Sequence, residues 1–247
     1  MGTLKHYYKP PVGTHLRSFF SYYGGKHKIA KYYPEPKYQT IVEPFAGSAG
    51  YSLRYPRCKV ILNDLNPVVH AIWDYLIQVK ESEILSLPID IDDVSSLRIP
   101  TVAKLLIGFW LAPARAIPMT KRSGWSRSQL GRISTCWGAN IRHRIASQLQ
   151  YIRHWKTTNT DYRSLDYGES CWFIDPPYLN EAGSKYPYHR IDKQELHQYC
   201  VTRPGQVIVC EQAGAKWLPF SPFRTVRSQG NSYGGWHSRQ EVVWIKE

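Results

Sequence analysis

An apolar run, Ser170-Cys171-Trp172-Phe173-Ile174, ends at a carboxylate in Asp175-Pro176-Pro177-Tyr178. The run is too short for a helix and rich in aromatic and β-branched types, so it reads as a buried strand. Two prolines then stop it, because they fix φ and donate no backbone hydrogen bond. The first proline also holds Asp175 extended. The outcome is a rigid bend that presents a carboxylate, bare carbonyls and one aromatic face. Two acceptors side by side suit an amino group attached to a ring, with Tyr178 to stack on that ring. Drawing on both N–H bonds frees the nitrogen lone pair to attack an electrophile. The plain alternative is a turn, since aspartate and proline are common turn formers.

Other stretches must position this bend. Tyr22-Tyr23-Gly24-Gly25-Lys26 pairs close backbone approach with a cation, ahead of a helix expected over Lys28 to Tyr33. Gln39 to Glu43 reads as a strand running into Pro44-Phe45-Ala46-Gly47-Ser48-Ala49-Gly50. A strand followed by a small-residue loop is how α/β folds bring backbone to a nucleotide-like ligand. The glycine spacing fits neither the dinucleotide fingerprint nor a phosphate loop. Lys59 to Leu62 is the next strand, and Asp64 follows Gly47 by 17 residues. That is near the distance at which an acid on the second strand reaches a ribose diol.

The 247 residues fit one large α/β domain with an insertion, or two modest domains. A formal charge of +13 with 14% aromatic residues points to a polyanion whose bases can be stacked upon. Charge alone also admits a ribosomal or membrane-surface partner. The five cysteines form no Cys-x-x-Cys pair, so no metal site is expected. Their scatter suits a reducing cytosol. With no apolar run of membrane-spanning length and no signal-peptide pattern, we expect a soluble intracellular protein.

Residues 96–156 differ in character from the rest. Val102 to Leu111 reads as a buried helix, and no acidic residue occurs between Val94 and Thr160. Lys121, Arg122, Arg127 and Arg132 lie here with Trp125 interleaved. We read the segment as a helical, basic, nucleic-acid-binding insertion; a basic solvated subdomain is the alternative. Residues 1–95 and 157–247 then form the main domain. Asp192 to Val201 reads as a helix with Asp192 and Glu195 spaced as a capping box. Gln206 to Cys210, Phe223 to Arg227 and Glu241 to Ile245 read as strands, the last two as a hairpin around Asn231-Ser232-Tyr233-Gly234-Gly235.

Taken in order, Tyr22-Tyr23-Gly24-Gly25-Lys26, Glu43-Pro44-Phe45-Ala46-Gly47, Asp64-Leu65-Asn66 and Asp175-Pro176-Pro177-Tyr178 resemble the Dam-like DNA adenine methyltransferases. The resemblance implies a Rossmann-like α/β fold: a mostly parallel seven-stranded sheet, an antiparallel C-terminal hairpin and a helical target-recognition insertion. It implies S-adenosylmethionine as cofactor and S-adenosylhomocysteine as product. Tyr22, Lys26, Phe45, Ala46 and Gly47 would surround the methionine end and Asp64 the ribose, with Glu43, Pro44 and Leu65 also expected to bind the cofactor. Asp161 and Tyr162 look like the pair that holds its adenine. Asp175, Pro176, Pro177 and Tyr178 would hold a target adenine flipped out of double-stranded DNA, and Lys121, Arg122, Arg127 and Arg132 would bind that DNA. A cytoplasmic, DNA-associated monomer or weak dimer is implied. RNA adenine methylation, or a catalytically silent nucleic-acid-binding protein of this fold, are the competing expectations. Two positions depart from the family's pattern: Ala49 stands where a glycine is usual in the loop, and Tyr22 where tryptophan is common.

Overall fold

A computed structural model describes residues 15–129, 135–178, 180–229 and 236–247. Its centre is a seven-stranded sheet, β1 (Thr40–Glu43), β2 (Lys59–Asn63), β3 (Lys156–Thr158), β4 (Ser170–Ile174), β5 (Gly205–Gln212), β6 (Ser221–Gln229) and β7 (Trp236–Lys246). The order across the sheet is β3-β2-β1-β4-β5-β7-β6. The first five strands in that order run parallel, and β7 pairs antiparallel with both β5 and β6. This is the expected Rossmann-like architecture, with the order reversing between β1 and β4. In such sheets the reversal opens a crevice beyond the strands' carboxyl ends, where ligands bind.

Burial on both faces explains the near-continuous apolar runs of the inner strands. All five residues of β4 are buried, as are the last four of β2. The described residues include six α-helices: α1 (Pro67–Gln78), α2 (Glu81–Ser86), α3 (Thr101–Leu111), α4 (Gly124–Ser128), α5 (Ala139–Gln148) and α6 (Lys193–Thr202). Asn66 caps α1 by accepting from the Val68 amide, and Pro67 sits at the first helical position, where its missing N–H costs nothing.

The expected insertion is not set apart from the sheet. Phe109, Trp110, Trp137, Ile141 and Ile145 share one core with Phe19, Phe20, Leu62 and Trp73. The boundary drawn at 156–157 falls inside β3, which pairs with β2 through Thr157 and Thr158. The helix expected over Lys28 to Tyr33 is instead two 3-10 turns, Lys26–Lys28 and Ala30–Tyr32. The proposed hairpin tip and Arg132 lie outside the described residues.

Candidate functional site

A pocket of about 450 Å³ opens at the β1/β4 reversal. Its wall includes the β1 loop from Glu43 to Gly47, Asp64 and Leu65 after β2, Asp161 and Tyr162 after β3, and Asp175 and Pro177 after β4. Tyr22 and Lys26 close it from the amino-terminal side. Thus the four separate stretches meet in one hollow, and Asp64 and Asp175 share it.

The loop after β1 is held open by backbone devices. Gly47 has φ +45°, and a Cβ there would meet the Tyr22 ring at 3.0 Å. Its carbonyl accepts from Trp73 Nε1 at 2.8 Å, and its amide donates to Asp64 Oδ2 at 2.9 Å. The Asn66 amide donates to Asp64 Oδ1 at 2.9 Å. Asp64 therefore braces the loop as well as lining the pocket, and a lone pair on each oxygen stays open to a further donor. Burial raises its pKa to about 6, against the opposing amides of Asn66 and Gly47. Ala49 takes φ +52°, so it carries the left-handed turn usually left to glycine, at some conformational cost.

Glu43 turns inward. Its Oε1 accepts the Ser52 amide at 2.8 Å, which anchors the 3-10 turn Ser52–Arg54 behind the loop. Burial raises its pKa from 4.5 to about 8. A carboxyl whose folded pKa is raised holds its proton more tightly in the native state, so stability falls as pH rises through that window. Asp64 and Asp175 share the lower part of it, since both titrate near 6. Between pH 6 and 8 the slope is expected to belong to Glu43, at about 1.4 kcal/mol per pH unit. Glu43→Gln keeps the Ser52 bond and should flatten that part of the pH–stability curve. An unchanged slope in denaturant unfolding would mean Glu43 is ionised throughout.

Around the bend, Lys26 Nζ lies 2.6 and 2.8 Å from the two oxygens of Asp175. It also sits 4.8 Å from the Tyr178 ring centre. Burial works against its charge, yet Asp175 and Glu241 outweigh it and raise its pKa. The same burial lifts Asp175 to about 6, with Lys26 pulling the other way. The pair is thus ionised at neutral pH. Tyr178 donates its hydroxyl hydrogen to Glu241 Oε2 on β7. Burial first, then Asp175 and Glu241, push the Tyr178 pKa well up, so the phenol stays protonated.

Lys26, Asp161 and Tyr162 line the pocket and are each already engaged with a neighbour, whereas Arg122 lies elsewhere than its sequence reading expects. Lys26, expected at the cofactor's methionine end, lines the pocket and pairs its ammonium with Asp175. Asp161 is bound to its neighbour, accepting from Arg163 Nε at 2.8 Å and from Nη2 at 2.7 Å. Tyr162 packs on Phe45 with ring centres 5.1 Å apart. Arg122 cannot bind a polyanion from where it lies. It is 3% exposed and donates to the Ile91 carbonyl from Nε and Nη2 at 3.0 and 2.8 Å. Exposed Lys121 and Arg127 lie 3.9 and 3.5 Å from Asp93 and Asp92. Arg122→Gln should cost about 2–4 kcal/mol in thermal or denaturant unfolding, because it orphans a buried carbonyl. A variant as stable as the parent would return Arg122 to the surface.

Sequence reasoning missed Asn63, Gly183, Tyr186 and Glu241. Asn63 ties the β1 and β3 loops together, donating to the Pro44 and Thr160 carbonyls at 3.0 Å each. Tyr186 lines the pocket and donates to the Tyr23 carbonyl at 2.9 Å. Asn63 stood in plain view inside Asn63-Asp64-Leu65-Asn66; the others carry no local signal.

A parallel sheet whose order reverses at a nucleotide-type loop facing an acidic proline bend defines a Rossmann-like fold. Residues 22–95 match the family model of D12 class N6 adenine-specific DNA methyltransferase. No curated protein matches the chain. Among solved structures, the putative methyltransferase yhhF from Escherichia coli is similar over 82% of this chain and 74% of its own, at 10% identity and a TM-score of 0.32. Among the described residues, no group of His, Cys, Asp and Glu is arranged to hold a metal ion, and no helix is long and apolar enough to cross a membrane.

Proposed function

We propose that the chain transfers a methyl group from S-adenosylmethionine to the exocyclic N6 amino group of adenine in duplex DNA. The observation that carries this reading is the single pocket joining the Phe45–Gly47 loop and Asp64 to Asp175 and Pro177. Its volume of about 450 Å³ lies in the range of small-molecule sites.

The residues present fit the cofactor. Asp64 keeps acceptor capacity for ribose hydroxyls, Phe45 and Tyr162 offer an aromatic wall, and Gly47 lets the backbone come close. Bound there, the cofactor supplies an electrophilic methyl group on a sulfonium. Asp175 would accept a hydrogen bond from the target amino group with the lone pair left free on each oxygen by Lys26, and the proton shed by the methylated nitrogen would pass to solvent. Lys26 holds that carboxylate ionised and oriented. As the nitrogen gains positive charge, Asp175 and a backbone carbonyl of the bend attract it more strongly, which lowers the barrier. Tyr178 stacks on the base, worth about 1–3 kcal/mol by analogy with single-strand binders. That offsets part of the few kcal/mol needed to draw the base out of the duplex. Target recognition falls to residues 96–156.

The test is incubation with labelled cofactor and plasmid DNA, duplex RNA or no nucleic acid, followed by mapping of modified bases. Label on adenine N6 of DNA is expected. Label on RNA alone would redirect the reading, and binding without transfer would reduce the protein to a silent module.

A further inference from the structure

Two cations from distant parts of the chain converge on one ring at the pocket's rim, and the loop that carries a third basic residue is bonded to the same tyrosine's backbone. Tyr23 lines the pocket. Lys185 Nζ lies 5.2 Å from its ring centre, and Arg239 Nη1 donates to its hydroxyl at 3.4 Å. The Tyr23 amide donates to the Arg115 carbonyl at 3.1 Å, which anchors the loop that carries this exposed arginine. The Arg115 loop is pinned there by a second bond, from the Ala114 amide to Ser21 Oγ at 2.8 Å. Ala114 adopts φ +60° to make that turn.

Arg115 and Lys185 are exposed and Arg239 is partly so. Among the described residues none of the three makes an ion pair. Lys121 and Arg127, by contrast, lie against acids. Like charges gathered without a counter-ion repel one another, and a bound anion relieves that repulsion. Tyr23 adds a flat face of the kind against which a sugar or base can pack.

We infer that Tyr23, Arg115, Lys185 and Arg239 form a clasp for the phosphate backbone of duplex DNA, seating the strand whose base enters the pocket. This rests on the DNA-methylating reading above. It moves the main electrostatic contact from the basic stretch at 121–132 to the rim around Tyr23. The three roots lie in the loop after α3, in the 3-10 turn Gly183–Lys185 and on β7. The clasp is therefore assembled only by the folded chain.

Each phosphate neutralised contributes about 0.9 to the slope of log affinity against log salt. The triple variant Arg115→Gln, Lys185→Gln, Arg239→Gln is expected to lower that slope by roughly 2–3. It should weaken duplex binding at least about tenfold at moderate salt, with unchanged affinity for S-adenosylhomocysteine by calorimetry. The companion Arg115→Lys, Arg239→Lys should restore the slope, because charge and not fork geometry sets it. Lys121→Gln should change the slope by less than the triple variant does. An unaltered slope in a triple variant that still binds DNA overturns the clasp alone, as does failure of the lysine companion to rescue. A loss confined to single-stranded RNA overturns the choice of partner. A parent protein with no salt-dependent DNA binding overturns the clasp together with the reading on which it rests.

Discussion

Asp175→Asn is expected to abolish detectable methyl transfer, lowering kcat by about 10²–10³-fold or more. Cofactor affinity should change little. The asparagine keeps the volume of the bend but offers one acceptor in place of a charged pair, and it cannot match the charge growing on the target nitrogen. It also leaves Lys26 with no anion on its nearest side, although Glu241 still contributes to holding that ammonium charged. The measurement is single-turnover transfer alongside calorimetric cofactor binding, so loss of chemistry is separated from loss of the pocket. Parallel loss of both would make Asp175 a structural residue. The parent protein should show the matching pH signature. Burial lifts the Asp175 carboxyl to about 6. The reactive form is the anion, so the rate should fall about tenfold per pH unit below that point and level off above it. A rate flat down to pH 4 would remove Asp175 from the acceptor role.

Gly183→Ala is the second large effect. A Cβ on Gly183 would lie 1.8 Å from the Tyr178 carbonyl oxygen and 2.8 Å from its carbon. Those are backbone atoms, and no side-chain rotation clears them. Gly183 is itself tied back, its amide donating to the Asn180 carbonyl at 3.0 Å. The added methyl must therefore displace the chain just after the proline bend. A misplacement of 1 Å in a positioned group can cost about 10²-fold in rate, and that is the loss expected here. Transfer kinetics with thermal unfolding would resolve it. Parent-level turnover from Gly183→Ala would show that the bend is not held in this way.

How much of this could be seen in the sequence follows from how local each signal is. β1, β2, β4 and β5 announce themselves because buried parallel strands are short apolar runs, and the acids and glycines of the site sit directly at their ends. β3 does not, since Lys156-Thr157-Thr158 has no apolar pattern and exists through pairing with β2. The charge on Arg122 was legible but its burial was not, because the carbonyl that accepts from it belongs to Ile91, 31 positions earlier. Glu195 sits where a capping box would place it, yet its side chain accepts from Arg163 Nη1 at 2.7 Å while Asp192 caps α6 by itself. The partner of Tyr178 lies 63 residues further on, beyond any spacing rule.

That last partnership gives the edge of the sheet an unexpected duty. Phe223 is the extra residue of a bulge between Pro222 and Arg224, and it stacks on Tyr33 with ring centres 4.4 Å apart. Side chains alternate along a strand, so sliding β7 by a single step would bring Gln240 or Val242 to the position of Glu241 and turn the carboxylate to the opposite face. The hairpin's alignment thereby decides whether the hydroxyl of Tyr178, at the far end of the proline bend, has a carboxylate to hold on to.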